Sequence, residues 1–217
     1  MLTVTGVLTF LAVIMAMMWY CPLVIRRRVK PAPATWIIAT FAMNLSVASY
    51  HAIGRTILEN VTLYAATFEI TIVFVVLMIV LIRSGELRLA FDRVQKFCLA
   101  VMGVAMFYWS ANKDQSDITF WTTQVLLVVS YLATISRAIQ KKSAFDSIGN
   151  WGFIFLSSVV GSIPAIVMMS PYGLANSARA VLSSGITVGV LIYFDRKNGW
   201  TRWSDEFNSL LVFYRIH

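Results

Sequence analysis

Residues 19–26 read Trp-Tyr-Cys-Pro-Leu-Val-Ile-Arg, and a basic turn and then Trp36 follow them. Residues 130–137 read Ser-Tyr-Leu-Ala-Thr-Ile-Ser-Arg, and a second basic turn and then Trp151 follow in the same order. Each stretch ends a long apolar run. A pattern that recurs after a block of apolar segments indicates gene duplication, and duplicated helix blocks in membranes commonly build transport pathways.

The composition predicts a chain dissolved in lipid. Hydrophobic residues make up 59% of the 217 residues and charged residues 13%, against about 25% charged residues in soluble domains. Because unpaired backbone groups are not tolerated in lipid, apolar runs without strand alternation are expected to be helices. The net charge of +8 lies in short turns between these runs, which argues against nucleic acid as a partner.

The number of spans follows from the length of the apolar runs. A helix needs about 20 mostly apolar residues to cross a bilayer. Beyond the last run, apolar side chains at helical spacing alternate with charged ones, which is typical of a short amphipathic helix on the inner membrane surface; the alternative is a frayed tail. Seven stretches meet the requirement: 2–25, 34–54, 61–83, 95–111, 118–138, 149–170 and 174–194.

The basic residues predict the orientation. Fifteen Lys and Arg residues follow the first, third, fifth and seventh stretches, and only Arg55, Lys113 and Arg179 are expected on the opposite side. Cytoplasmic loops carry the excess of Lys and Arg. We therefore expect an outward amino terminus and a cytosolic carboxyl terminus, in a multi-pass protein of the inner or plasma membrane.

The two motif copies divide the chain. Each copy lies between the first and second helices of a three-helix unit, which gives a 3+1+3 arrangement. A single linking helix lets the two units lie parallel, related by an axis along the membrane normal. The predicted parts are the first unit (1–83), the linker with the fourth helix (84–117), the second unit (118–194) and a cytosolic interfacial tail (195–217).

The first copy also resembles a known superfamily. Tyr20-Cys-Pro-Leu23, the basic turn Arg26-Arg-Arg-Val-Lys30 and the stretch Pro31 to Trp36 resemble the PQ-loop superfamily, which includes SWEET sugar transporters and bacterial vitamin transporters. The chain looks closest to uncharacterised bacterial members with a Lys-Pro-x-x-x-Ser/Thr-Trp turn. The signature glutamine is replaced by leucine here, and the second copy has Ala133-Thr134 at this position. The resemblance implies a seven-helix fold and membrane transport.

Polar residues inside the predicted spans are the candidate substrate-binding residues. Glu69 lies about 12 Å from the outer end of its helix, near Tyr64 and Thr71, and Asn44 lies near the middle of the second helix. Intramembrane ionisable groups are costly and commonly face a cavity or a partner. Glu69 therefore binds a cationic group, carries a proton, or joins helices through an ion pair. Asn44 binds a ligand or a neighbouring helix.

Other residues are candidates for proton transfer, ion pairing and gating. His51 could titrate or cap a helix, and Arg179 or Arg55 could pair with Glu69. Pro22 and Pro164 each remove a backbone hydrogen bond within a helix, which suits a hinge, although proline is also common in membrane helices. Tryptophans at the inner level fit an aromatic belt first and ligand stacking second.

These features favour a transporter of a small polar solute that works by alternating access. The alternative is a receptor or an accessory subunit that keeps the fold without moving solute, because the signature glutamine is missing. Either is compatible with a homo-oligomer or a partner protein in the bilayer. A retinal receptor would need a lysine in the last span, but the sequence has none between Lys142 and Lys197. A metal site would need clustered ligands, and the only histidines in the sequence are His51 and His217. No enzymatic activity, metal or cofactor is predicted.

Overall fold

The structure, a computed structural model, describes residues 1–29, 33–85, 93–144, 146–199 and 201–216. Lys30 and Pro31 of the motif turn, and His217, lie outside these ranges. The described residues form α-helices and two short 3-10 helices, Ile57–Asn60 and Lys113–Gln115, and no strand. The α-helices are α1 (Leu2–Ile25), α2 (Pro33–Ala52), α3 (Val61–Ser84), α4 (Arg93–Ala111), α5 (Ser116–Lys141), α6 (Ile148–Val167), α7 (Pro171–Lys197) and α8 (Thr201–Ile216).

Several of these helices have the length and composition of membrane spans, so the all-helical membrane character predicted from composition is confirmed. A shorter apolar stretch, Lys96–Ala111, belongs to α4. Within the described ranges, five stretches are long and apolar enough to cross a membrane: Leu2–Ile25, Ile57–Ser84, Lys113–Lys141, Ile148–Val167 and Pro171–Lys197.

The helices pack in a reciprocal pattern. Helix α3 packs against both α1 and α2, and α7 packs against both α5 and α6. The two sets meet crosswise, because α1 packs against α6 and α2 packs against α5. Helix α4 contacts α2 and α5.

Equivalent aromatic pairs from the two motif copies lie in separate clusters. Tyr20 stacks on Trp36 with ring centroids 5.5 Å apart, in a cluster with Leu23, Val73 and Leu77. Tyr131 meets Trp151 at 5.4 Å, beside a cluster that contains Trp151, Ile148, Leu191 and Phe194. Tyr20 lies five residues before the end of α1 and Tyr131 ten residues before the end of α5, and each ring contacts a tryptophan in the first turn of the next helix.

The tail forms helix α8, which packs against α1, α6 and α7. Trp203, Phe207 and Leu211 are exposed, as an interfacial helix requires, whereas Leu210 is buried against the end of α1. Asp195 at the end of α7 accepts hydrogen bonds from the backbone N–H groups of Arg202 (2.8 Å) and Trp203 (3.2 Å). A carboxylate at a helix N-terminus satisfies its free donors and fixes where α8 begins.

Close packing at the start of α7 predicts a stability effect. A Cβ atom added at Gly173 would lie 2.3 Å from the backbone oxygen of Glu59 and 2.9 Å from Cβ of Ala165. We expect Gly173→Ala to lower the free energy of unfolding by about 1–3 kcal/mol, because a backbone oxygen cannot move aside cheaply. Gly189→Ala in the same helix is the matched control, since nothing lies within 4 Å of its added Cβ. Denaturant titration in detergent should show no loss for the control; equal losses would contradict this account.

Candidate functional site

A cavity of about 40 Å³ lies inside the bundle, where α2, α3, α5 and α6 meet. It follows α2 from Thr35 to Met43, a length of about 12 Å. The volume has room for about three water molecules, so the cavity is small in this conformation. The side chains around it are mostly apolar or aromatic with a few hydroxyls, among them Trp36, Trp151, Tyr131, Ser130 and Thr134.

Glu69 is the charged residue in the described lining. Its side chain is buried (3% exposed), and its Oε1 atom has no hydrogen-bond partner among the described residues. A buried carboxylate without partners costs stability, and such a cost is commonly retained at functional sites. The carboxylate can accept a hydrogen bond from, or neutralise, a group that enters the cavity.

The predicted ion pairs of Glu69 do not form in the described part of the chain. Arg55 pairs instead with Glu59, with Nη1 3.5 Å from Oε2. Arg179 donates from Nε to Oε1 of Gln124 (2.8 Å) and from Nη2 to Oδ1 of Asn176 (2.9 Å), and its Nη1 atom is left without a partner. Thus neither Arg55 nor Arg179 forms an ion pair that would join helices through Glu69.

Arg179 belongs to a buried polar network. It is 8% exposed and lies eight residues into α7. The Gln124 amide donates from Nε2 to the Ser46 hydroxyl of α2 (2.9 Å). The Asn176 amide donates from Nδ2 to Oδ1 of Asn60, the residue before α3 (2.9 Å). The Arg179 guanidinium also lies 5.9 Å from the ring centre of Tyr131, which lines the cavity. The network therefore links α2, α5, α7 and the start of α3 through buried side chains.

Aromatic side chains from two helices converge on one buried carboxylate. The Tyr20 hydroxyl donates to Oδ1 of Asp146 (3.1 Å), and the Trp151 indole N–H donates to Oδ2 of the same residue (3.1 Å). Since Tyr20 also stacks on Trp36, one carboxylate joins the ring pairs of both motif copies. Burial raises the pKa of the Asp146 carboxyl, while hydrogen bonds from Ser147 and Trp151 act to lower it.

The described chain has no match in the three comparisons with known proteins. No family model, curated protein or solved structure matches it.

The other predicted substrate-binding residues lie away from the cavity. Asn44 is exposed on α2, and its amide donates to the Thr71 hydroxyl on α3 at 3.2 Å. The Tyr64 hydroxyl lies 3.0 Å from Nε2 of His51, near the end of α2 and the start of α3. The structure therefore brings these four residues together as two helix–helix pairs, and Glu69 alone of the predicted set lines the cavity.

The predicted hinge residues lie inside continuous helices. Pro22 is buried near the C-terminal end of α1, and Pro164 is buried in α6 three residues before its end. The helix continues past the proline in both cases, to Ile25 in α1 and to Val167 in α6. Their role in gating stays a prediction.

Sequence reasoning missed two kinds of site residue. Trp36 and Trp151 are buried and line the cavity, so the first interpretation of them as belt residues is wrong. Gln124 and Asn176 were not singled out, although a carboxamide within an apolar stretch is the same signal that selected Asn44. No group of three or more potential metal ligands occurs within the described ranges.

A second polar centre fastens α8 to the bundle. Glu206 is 2% exposed, although the tail pattern predicted it on the polar face of a surface helix. Its Oε2 atom accepts from the Trp19 indole N–H (2.9 Å) and the Ser147 hydroxyl (2.9 Å), and its Oε1 atom accepts from the Ile148 backbone N–H (3.1 Å). Burial raises the pKa of Glu206, and the donors Trp19 and Ser147 oppose the rise.

Proposed function

We propose that the protein is a multi-pass transporter of the inner or plasma membrane that moves a small polar solute by alternating access. The observation that carries the proposal is Glu69, a buried carboxylate with an unpartnered oxygen in the wall of a small central cavity. Such a group favours a solute that donates hydrogen bonds or carries a positive charge. The aromatic walls at Trp36, Tyr131 and Trp151 suit contact with its apolar part.

Seven crossings are the proposed topology. In addition to the five long apolar stretches, α2 has 20 residues and α4 has 19. Both reach about 30 Å, the thickness of the hydrocarbon core. Together with the basic inner loops, this supports an outward amino terminus and a cytosolic α8.

A parallel 3+1+3 repeat is the proposed architecture. Exchanging α1, α2 and α3 with α5, α6 and α7 reproduces the main helix contacts, including the crosswise pairs α1–α6 and α2–α5. The equivalent pairs Tyr20–Trp36 and Tyr131–Trp151 have nearly the same separation. Both observations support the repeat and agree with the resemblance to the PQ-loop superfamily.

The inner ends of the two units form the proposed gate. The hydrogen bonds from Tyr20 and Trp151 to Asp146 hold these ends together below the cavity. Separating the units there breaks those bonds and opens a path between Trp36 and Trp151 towards Glu69. Pro22 lies two residues beyond Tyr20, where its missing backbone bond allows α1 to bend.

Flux measurements test the proposal. The purified protein is reconstituted in liposomes and offered a panel of labelled amines, amino acids, sugars and nucleosides. We expect uptake of at least one solute above that of protein-free liposomes. We expect Glu69→Gln to reduce that uptake by about tenfold or more, since one lost charged hydrogen bond weakens a site by roughly this factor.

The controls separate loss of function from loss of fold. Asp205→Asn removes a carboxylate on the exposed face of α8 and should leave uptake unchanged. Absence of uptake and of any thermal stabilisation across the panel would contradict the transporter proposal. A single stoichiometric partner in a pull-down, without flux, would instead support the receptor or accessory-subunit alternative.

A further inference from the structure

A groove of about 360 Å³ opens between the inner ends of α1 and α3, outside the central cavity. Ile25 of α1 and Val76, Ile79 and Val80 of α3 form its walls. Arg27 and Arg83 lie at its basic end. No carboxylate is among the described residues around it.

The walls suit an acyl chain. Val76, Ile79, Val80 and Arg83 follow one face of α3 at helical spacing, over a length of about 10 Å. Ile25 and Ile79 are exposed, as are Val75 and Ile82 beside them. In the proposed topology this surface faces the inner leaflet, so lipid chains reach it directly.

The arginines suit a phosphate. Arg27 follows α1 with a positive φ of 56°, and Arg83 is in the last turn of α3. The preceding residue, Arg26, is directed elsewhere, because its Nη1 atom donates to the Ser209 carbonyl oxygen of α8 at 3.1 Å. Guanidinium groups bind phosphate oxygens through paired N–H donors, which makes arginine the preferred partner at such sites.

We propose that this groove binds an anionic phospholipid of the inner leaflet. The phosphate lies between Arg27 and Arg83, and an acyl chain runs along Ile25 and Ile79. A soluble anion would use the two arginines but would leave the apolar walls unoccupied. Basic sites between helices at the cytosolic side recognise acidic headgroups in this way.

Lipid titration followed by native mass spectrometry tests the proposal. The full chain in detergent is titrated with phosphatidylglycerol and with phosphatidylcholine of the same acyl chains. We expect a phosphatidylglycerol adduct. The double variant Arg27→Gln with Arg83→Gln should bind this lipid with roughly thirtyfold lower affinity, because it loses both arginines that attract the anionic headgroup. The matched control, Lys142→Gln with Arg196→Gln, removes two inner-side charges away from the groove and should leave the adduct unchanged.

Further variants keep the outcome decisive. If the double variant does not fold, Ile79→Trp fills the groove while keeping both arginines, and it should also weaken the adduct. Equal losses in the two charge-removing pairs would overturn the proposal, because they would show general attraction to a basic surface. Equal binding of glycerophosphoglycerol, which lacks acyl chains, would overturn it in favour of a soluble anion.

Discussion

The Glu206→Ala variant is expected to lose about 3–5 kcal/mol of unfolding free energy, the loss typical when one partner of a buried ion pair is removed. Glu206 accepts hydrogen bonds from Trp19, Ser147 and the first turn of α6, and it pairs with Arg202 at 3.3 Å. Truncation leaves these buried donors without acceptors and removes the negative charge from a helix N-terminus. The same change frees α8 from α1 and α6.

Two readouts check this prediction. Denaturant titration in detergent measures the free energy, and tryptophan fluorescence reports the docking of α8, since Trp19 stacks on Trp203 at 5.5 Å. Asp205→Ala, at the exposed neighbouring position, should change the stability by no more than about 0.5 kcal/mol. Glu206→Gln keeps the shape and should lose less than alanine. A Glu206→Ala protein as stable as the Asp205→Ala control would contradict the proposed fastening.

The Glu69→Met variant is expected to shift stability in the opposite direction, with a gain of about 1–3 kcal/mol, the cost of one buried unsatisfied polar group. Methionine has a similar volume and fits the apolar cavity walls. The gain should accompany the loss of flux described for Glu69→Gln. This combination is typical of a site where binding chemistry is kept at the expense of stability.

Glu59→Met is the matched control for this change. The Glu59 carboxylate is already partnered, with Arg55 Nη1 and the Thr56 and Ser170 hydroxyls within 3.5 Å. Its replacement should therefore lower stability or leave it unchanged. A loss of stability in Glu69→Met comparable with that in Glu206→Ala would identify Glu69 as a structural residue and would remove the main support for the transport site.

Helix positions could be predicted from the sequence because the bilayer sets the length of an apolar segment. The predicted stretches 2–25 and 61–83 correspond to the helices Leu2–Ile25 and Val61–Ser84, with differences of at most one residue. The backbone must pair its polar groups wherever water is absent, so apolar length is a sufficient signal. Both motif copies keep Tyr and Trp at equivalent positions, although the contact between the two rings was not predicted from the sequence.

The rotation of each helix could not be predicted in the same way. Asn44 and Gln124 are both carboxamides in apolar helices, yet Asn44 is exposed and Gln124 is buried. The side of each helix that packs in the bundle and the side that faces lipid are both apolar. The hydrophobic pattern therefore does not show which side contacts the other helices. Glu206 was misplaced because its acceptor role depends on Trp19 and Ser147, which are distant in sequence.

The bond from Trp19 to Glu206 also has a consequence for biosynthesis. The acceptor is translated 187 residues after the donor, a delay of roughly 10–40 s at about 5–20 residues per second. During that interval the nascent chain lacks this hydrogen bond between α1 and α8. The bond forms only after Glu206 has been synthesised, and a chain released by the ribosome before Glu206 lacks it.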